Sequence, residues 1–243
     1  MSDRPPLTAI LWDFDGTLAD TRHKNLSVNR RIVEELSGRP WPEFNALGTI
    51  EAYDEAVRRA ANWRELYRAN FGFTDGDCDR AAAVWASYQL QDRTPAPLFE
   101  GLPEVVRELA DLPQGIVSQN ARDHIIEQLA AVRLERHFGS IVGYQEVPLG
   151  RQKPDPDGLL VGLEELIGLA PGRALYIGDH EGDTLCAAAT SRVLRRRGVD
   201  LEVLSVAATF ADGGDHECWR CRPDYTAAQP ADILTIVDEL RAL

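Results

Sequence analysis

Residues 7–20 read LTAILWDFDGTLAD, and they give the clearest indication of fold and chemistry in the chain. The first half is a short apolar run, which is typical of a strand buried on both faces of a parallel sheet. Asp13 and Asp15 follow it, and a spacing of two on an extended chain places both carboxylates on the same side. Gly16 then allows a tight turn toward a ligand. Although Asp-Gly is also a common turn dipeptide, the stretch predicts a strand that ends in a nucleophile at a binding crevice.

The composition limits the class of protein. The chain has 243 residues, 44% of them hydrophobic, which is enough for a core without disulfide bonds. We find no apolar run long enough to span a membrane and no signal-peptide region, so we expect a cytoplasmic protein without a membrane partner. A net charge of −13 disfavours nucleic acid as a partner, because phosphate backbones are bound by excess lysine and arginine. The sequence leaves open whether the chain is a monomer or a homodimer.

The four cysteines are too few and too scattered for a disulfide framework in a chain of this length. Cys218 and Cys221 have a Cys-x-x-Cys spacing with His216 nearby, but a structural zinc site usually needs four ligands and no second pair exists. We therefore expect reduced thiols and an exposed loop at residues 212–222.

Hydrophobic patterns divide the chain into two parts. Residues 21–95 show helical spacing without an intervening strand, and a proline-rich linker follows. Beyond residue 101, short apolar runs alternate with helical patterns, which is typical of an open parallel sheet covered by helices on both faces. The predicted fold class is α/β: a Rossmann-like open parallel sheet, residues 1–20 and 96–243, with an inserted all-helical domain, residues 21–95.

The element boundaries are predicted from the same patterns. Strands after the first are expected at residues 114–118, 140–145, 173–178 and 201–207. Helices of the sheet domain are expected at residues 103–110, 121–132, 183–197 and 231–243, with a further helix that Asp155 caps and Pro156 begins. In the insert, helical spacing covers residues 28–36, 50–70 and 79–90.

Polar side chains follow several of the predicted strands. Besides the two aspartates of the first strand, they are Ser118, Lys153, and Asp179 with Asp183. Ligands of open α/β sheets bind beyond the carboxyl ends of the strands, so these side chains are expected to share one site. Each alone also has a simpler interpretation as a helix cap, an exposed loop lysine or a first-turn charge. Their coincidence in this order favours the shared site.

This ordered set resembles the four motifs of the haloacid dehalogenase superfamily, which here are residues 13–17 (DFDGT), Ser118, residues 153–156 (KPDP) and residues 178–183 (GDHEGD). The helical insert after the first motif resembles the phosphoglycolate phosphatase and β-phosphoglucomutase branch, in which the insert is a cap that selects the substrate.

The chain also departs from that branch. Gln119 replaces a usual asparagine, with Asn120 as an alternative source of the amide. His180 and Glu181 stand where small hydroxyl residues are common, and we expect them to be solvated loop residues.

The resemblance implies a Mg²⁺-dependent phosphatase that hydrolyses a small phosphorylated metabolite through an aspartyl-phosphate. An aspartate attacks a phosphate only if the repulsion between two anions is offset, which a divalent cation held by carboxylates achieves. Asp13 would be the nucleophile, Asp15 the general acid and base, and Lys153 a catalytic phosphate ligand. The other phosphate-binding residues would be Gly16, Thr17, Ser118 and Gln119. The metal ligands would be Asp13, the backbone carbonyl of Asp15, Asp179 and Asp183.

Other functions remain open at this point. A sugar-phosphate mutase shares the chemistry. A 2-haloacid dehalogenase attacks carbon with the same aspartate but needs no metal, and a phosphonate hydrolase would need a cap lysine, of which Lys24 is the one example. A non-catalytic binding protein of the same fold is the alternative from a different class.

The insert also contains basic residues that could contact an anionic substrate. Each of them could equally lie on a solvated helix face. They are Arg22, His23, Lys24, Arg58, Arg59 and Arg64.

Overall fold

The computed structural model describes residues 5–60, 62–210 and 216–242. The chain divides into two compact units. One comprises Met1–Ala19 and Leu98–Leu243 and is called the sheet unit; the other, Asp20–Pro97, is called the helical unit. Part of the loop predicted at residues 212–222 lies outside the described residues.

Within the described residues, the sheet has six parallel strands in the order β3-β2-β1-β4-β5-β6. They are β1 (Leu7–Trp12), β2 (Gln114–Val117), β3 (Phe138–Val142), β4 (Gly172–Gly178), β5 (Leu201–Ala208) and β6 (Tyr225–Ala227). This confirms the predicted α/β fold class. The sequence did not predict β6, because a three-residue strand has too few positions to show a pattern.

The helical unit consists of helices and short turns in its described residues. Its helices are α1 (Arg22–Ser37), α2 (Ile50–Arg59), α3 (Trp63–Phe71) and α4 (Asp75–Gln91). The stretch predicted at residues 50–70 is two helices, because the backbone of Ala60 is extended (φ −85°, ψ 131°) and Asn62 caps α3. Helix α4 begins four residues before the predicted position, because Thr74 and Asp77 form a reciprocal capping box there.

Helices cover the sheet of the sheet unit on both faces. They are α5 (Leu102–Glu108), α6 (Arg122–Ala131), α7 (Asp157–Ile167), α8 (Glu181–Arg196) and α9 (Asp232–Ala242). The side chains of β1 alternate between two buried clusters: Ile10 and Trp12 pack with residues of α5, α6 and α9, and Leu11 packs with residues of α7 and α8. This explains why β1 is a continuous apolar run. None of the helices in the described residues combines the length and apolarity needed to cross a membrane.

Several boundaries in the sheet unit differ from the prediction, among them those of β3, α7 and α8. Strand β3 covers Phe138–Val142, so it begins two residues and ends three residues before the predicted range of residues 140–145. Helix α7 begins at Asp157, and Asp155 is not its cap because Pro156 occupies the N-cap position without a side-chain hydrogen bond. Helix α8 begins at Glu181 rather than residue 183, since the His180 side chain caps it.

Gln114 is a buried polar residue that ties β1, β2 and α5 together. Its Oε1 accepts a hydrogen bond from Trp12 Nε1 at 3.1 Å, and its Nε2 donates to the backbone carbonyls of Val106 at 2.9 Å and Leu109 at 3.1 Å. A buried amide contributes to stability only when its groups are paired, and here three partners pair both ends. The side chain therefore holds the central strand in register with its neighbour.

We expect Gln114→Leu to lower the free energy of unfolding by about 2–4 kcal/mol, because a buried indole N–H and two carbonyls lose their partner. Urea unfolding followed by circular dichroism measures the loss. Gln128→Leu, the same exchange at a partly exposed position of α6, is the matched control and should change stability by less than ~0.5 kcal/mol. Equal effects of the two exchanges would contradict the role given to Gln114.

Candidate active site

The predicted site residues of the sheet unit follow the carboxyl ends of three neighbouring strands. Asp13 follows β1, Ser118 follows β2 and Asp179 follows β4. Strand β1 lies between β2 and β4, so the strand order reverses at this point. In open α/β sheets such a switch point opens a crevice for ligands. The topology therefore explains why side chains more than a hundred residues apart meet.

Lys153 links two of the buried carboxylates. Its Nζ lies 2.8 Å from Asp13 Oδ1 and 2.7 Å from Asp183 Oδ1, and the three side chains are 11%, 8% and 5% exposed. The Tyr176 hydroxyl shares its proton between the Val117 carbonyl oxygen, at 2.9 Å, and the same Asp183 oxygen, at 3.2 Å. Burial alone would lower the pKa of Lys153, but the charges of Asp13 and Asp183 raise it well above its ordinary value. The lysine is therefore charged and offsets part of the carboxylate charge.

Three carboxylates form a compact cluster. Asp13, Asp179 and Asp183 each offer one oxygen, and these oxygens all lie within 4.8 Å of one another. Burial raises the pKa of Asp13 to about 7 although Lys153 opposes the shift. Burial also raises the pKa of Asp179 well above its usual value, and the charges of Asp13 and Asp183 add to this rise. The cluster thus holds more negative charge than one lysine compensates, and its oxygen donors suit a hard divalent cation.

Gly16 lies where a side chain has no room. Its φ is +75°, and a Cβ on this residue would lie 2.1 Å from Asp179 Oδ2. The neighbouring Thr17 hydroxyl donates to Asp179 Oδ1 at 3.4 Å. The Asp-Gly pair of the first motif therefore does more than form a turn, because it brings the backbone against a carboxylate of the cluster.

Asp15 is oriented by two groups that follow β2. Its Oδ2 accepts a hydrogen bond from Ser118 Oγ at 3.2 Å, and its Oδ1 accepts one from Asn120 Nδ2 at 3.0 Å. Gln119 has a different contact: its Nε2 donates to the backbone carbonyl of Lys153 at 2.9 Å. The amide beside the second aspartate thus comes from Asn120, and the Gln119 side chain holds the backbone of the lysine loop.

The start of α8 fixes Asp183. The backbone amide of His180 donates to Asp183 Oδ2 at 3.1 Å, and His180 Nδ1 accepts from the Gly182 amide at 3.0 Å. Burial lowers the pKa of His180, which favours the neutral imidazole that this cap requires. The side chain of Glu181 accepts hydrogen bonds from the backbone amides of Arg220 and Cys221. Both residues have defined partners, in contrast to the solvated loop expected from the sequence.

Two contributions to the site were not predicted from the sequence: Tyr176, and Glu181 as an anchor. Asn120 was predicted as an alternative source of the amide, and its Nδ2 donates to Asp15. Tyr176 lies in an apolar strand and resembles a core residue, because its hydroxyl finds Asp183 only in the folded chain. The signal available for Asn120 was its position two residues after Ser118. Glu181 offered no local signal, since its partners lie about forty residues away.

Most basic candidates of the helical unit bind acceptors within that unit. Arg22 pairs with Asp20 at 2.7 Å and Asp54 at 3.7 Å. Arg58 and Arg59 pair with Glu55, Arg64 pairs with Asp79, and the Lys24 ammonium donates to the Asp92 carbonyl. His23 is exposed. These contacts favour a structural role for the paired residues.

None of the four cysteines forms a disulfide bond; Cys218 is exposed and Cys221 is partly buried. Within the described residues, the carboxylate cluster is the only group of three or more potential metal-binding side chains close enough to share an ion. The structure therefore offers no zinc site around Cys218 in that part of the chain.

Comparison with known proteins supports the resemblance. The chain is 31% identical over 193 residues to a phosphoglycolate phosphatase of Thiobacillus denitrificans, which covers 76% of this chain and 80% of the relative. It is 26% identical over 235 residues to the pyrophosphatase PpaX of Listeria monocytogenes, which covers 95% of this chain and 96% of the relative. A haloacid dehalogenase-like family hydrolase of Streptococcus pneumoniae has the same fold, with a TM-score of 0.68 at 21% identity over 95% of this chain and 98% of that chain.

The family model described as haloacid dehalogenase-like hydrolase matches residues 10–192, which include all four motifs. Since this match covers most of the chain, the protein belongs to the haloacid dehalogenase-like hydrolase family.

Proposed function

We propose that the chain is a Mg²⁺-dependent phosphatase that hydrolyses a small phosphorylated compound through an aspartyl-phosphate on Asp13. The observation that carries the proposal is the buried contact between Asp13 and Lys153 beside two further carboxylates. The relatives' names support phosphate compounds as substrates. Pyrophosphate and phosphoglycolate each carry a second anionic group beside the reacting phosphoryl group, and we place the substrate in this class.

The carboxylate cluster fits a divalent cation. When ionised, its three carboxylates face the single ammonium of Lys153, which leaves two negative charges uncompensated. Asp13, Asp179, Asp183 and the backbone carbonyl of Asp15 would hold Mg²⁺, which prefers oxygen ligands. When bound, the ion neutralises charge and polarises the phosphoryl oxygens.

The reaction would proceed in two displacements. A carboxylate oxygen of Asp13 attacks the phosphorus, and the P–O bond to the leaving group breaks as Asp15 gives that oxygen a proton. Asp15 then takes a proton from water, whose oxygen attacks the phosphoryl-Asp13 group to release phosphate and restore the carboxylate. Ser118 and Asn120 hold Asp15 in place for both transfers.

The phosphoryl group would be held by cationic and neutral donors. Lys153 would bind its oxygens as negative charge shifts in the transition state. The Ser118 hydroxyl donates to Asp15, and the amides of Gly16 and Thr17 donate to the carbonyls of Ala19 and Phe14, so these three donors would exchange those partners for phosphoryl oxygens. We assign the Gln119 side chain to positioning, because its contact with the Lys153 carbonyl fixes the loop that carries the ammonium.

We further propose that residues 1–20 and 96–243 form the catalytic domain and that the helical insert, residues 21–95, selects the substrate. The division of the chain into a sheet unit and a helical unit supports this assignment. So does the place of the insert in the sequence, directly after the first motif.

Asp13→Asn should abolish Mg²⁺-dependent hydrolysis of p-nitrophenyl phosphate while the protein stays folded, because the change removes both the nucleophile and a metal ligand. Steady-state rates and circular dichroism measure the two effects. Asp123→Asn, at an exposed carboxylate in the first turn of α6, is the control and should retain the wild-type rate. The proposed mechanism would be wrong if Asp13→Asn turned over at the wild-type rate, or if excess chelator left the rate of the wild-type protein unchanged.

Asp15→Asn should lower kcat by about 10²–10⁴-fold for ethyl phosphate, because an alkoxide leaving group needs the proton that Asp15 gives. The loss should be smaller for p-nitrophenyl phosphate, since p-nitrophenolate leaves without protonation. Parallel kinetics on the two esters provide the comparison. The same loss for both esters would exclude Asp15 as the acid for the leaving group.

Gly16→Ala should lose Mg²⁺-dependent activity, because the new methyl group displaces the Asp179 carboxylate. Gly198→Ala is the matched control: its φ is also positive, at +72°, but no atom lies within 4 Å of its Cβ position. Both changes should cost about 1–2 kcal/mol of stability in urea unfolding, as expected for alanine at positive φ. Retention of wild-type activity and Mg²⁺ dependence by Gly16→Ala would show that the close approach to Asp179 is unimportant.

A further inference from the structure

The segment of residues 216–221 lies beside the fourth motif. It belongs to the connection between β5 and β6, and the Glu181 carboxylate binds its backbone through the amides of Arg220 and, at 3.2 Å, Cys221. Glu181 is two residues from Asp179, so their Cα atoms are at most about 7 Å apart. This contact therefore brings the segment next to the residues that would hold the metal.

Further contacts give the segment a defined backbone. The His216 ring packs edge-on against Trp219, with the ring centres 6.3 Å apart, and His216 Nε2 lies 3.3 Å from the Thr226 hydroxyl oxygen at the start of β6. The Trp219 amide donates to the His216 carbonyl at 3.2 Å. The segment is thus held at one end by β6 and at the other by Glu181.

Arg220 provides a cation at this position. Its side chain is exposed, and none of the ion pairs within the described part of the chain involves its guanidinium. The Glu181 carboxylate accepts a hydrogen bond from the backbone amide of Arg220 and not from its guanidinium. By contrast, Lys153 is engaged by Asp13 and Asp183, and Arg151 pairs with Asp157 at 2.6 Å. Arg220 therefore remains available to a ligand.

We propose that Arg220 binds the second anionic group of the substrate, a carboxylate or a phosphoryl group remote from the reacting phosphorus, and that Glu181 is the positioning residue for it. A guanidinium binds both kinds of group through two parallel hydrogen bonds. Such a contact lies away from the reacting bond, so it adds binding of the intact substrate without taking part in the displacement. This inference rests on the proposed phosphatase function and names a residue of the sheet unit that would add to the substrate selection proposed for the helical insert.

The test compares Arg220→Gln with Arg222→Gln, an exposed arginine two residues along the chain. With Mg²⁺ present, kcat/KM is measured for 2-phosphoglycolate, for pyrophosphate and for ethyl phosphate, which has no second anionic group. In Arg220→Gln the ratio of kcat/KM for one of the first two compounds to that for ethyl phosphate should fall about 10- to 100-fold, mainly through KM. In Arg222→Gln the ratio should stay at the wild-type value.

Comparison of the three compounds also identifies the second anionic group of the substrate. A fall for 2-phosphoglycolate alone supports a carboxylate, and a fall for pyrophosphate alone supports a phosphoryl group. An unchanged ratio in Arg220→Gln, or an equal fall in Arg222→Gln, would overturn this inference and leave the phosphatase function standing. If the wild-type protein hydrolyses none of the three compounds, the proposed function fails and the inference fails with it.

Variants of Glu181 test its positioning role. Glu181→Ala should lower the same ratio, whereas Glu181→Gln keeps a carbonyl oxygen that can accept the two amides and should restore most of it. Added to Arg220→Gln, Glu181→Ala should lower the ratio no further, because both changes remove one contact. Additive losses, or no rescue by glutamine, would show that Glu181 does not act through Arg220.

Discussion

The contact of the Lys153 ammonium with Asp13 and Asp183 is the interaction on which the rest of the site depends. Each buried carboxylate loses several kcal/mol of hydration, and an ion pair recovers this only with good geometry. Distances of 2.8 Å and 2.7 Å satisfy that condition for two carboxylates. The third, Asp179, remains without a cation of its own, which is why burial and its neighbours raise its pKa. This charge imbalance supports the proposal that the cluster holds a divalent ion.

Backbone groups also stabilise the negative charge of the cluster. Asp183 lies in the first turn of α8, where the partial positive charge of the helix N-terminus favours a carboxylate. Its two oxygens have different partners. Oδ2 accepts a hydrogen bond from the His180 amide, and Oδ1 accepts hydrogen bonds from Lys153 and Tyr176. Asp183 therefore orients the lysine that in turn contacts Asp13. A change in the cap of α8 would reach Asp13, the proposed nucleophile, through this chain of contacts.

Features set by neighbouring residues in the sequence could be predicted, whereas features set by contacts between residues far apart in the chain could not. Strands β1 and β4 were predicted because burial on both faces makes them continuous apolar runs, and the α/β alternation gave the fold class. The side chains of the four motifs were proposed because polar groups follow several of the predicted strands. Tyr176 was missed as a contributor because its polar contact with Asp183 exists only after the chain has folded. Asn120 was expected to supply an amide, but its partner Asp15 becomes evident only in the folded chain. The first residues of α8 and α4 likewise depend on reciprocal capping hydrogen bonds, in which His180 and Thr74 are the N-cap residues.

Glu181 shows how the same physics explains a departure from the family pattern. A glutamate beside Asp179 and Asp183 adds negative charge where the cluster already exceeds its compensation. Where the resemblance leads one to expect a small hydroxyl residue, such a charge is tolerated only if other donors satisfy it. The amides of Arg220 and Cys221 are those donors, and they turn the carboxylate toward the segment of residues 216–221. Glu181 and the segment of residues 216–221 are therefore joined by hydrogen bonds, which gives the additional carboxylate its donors.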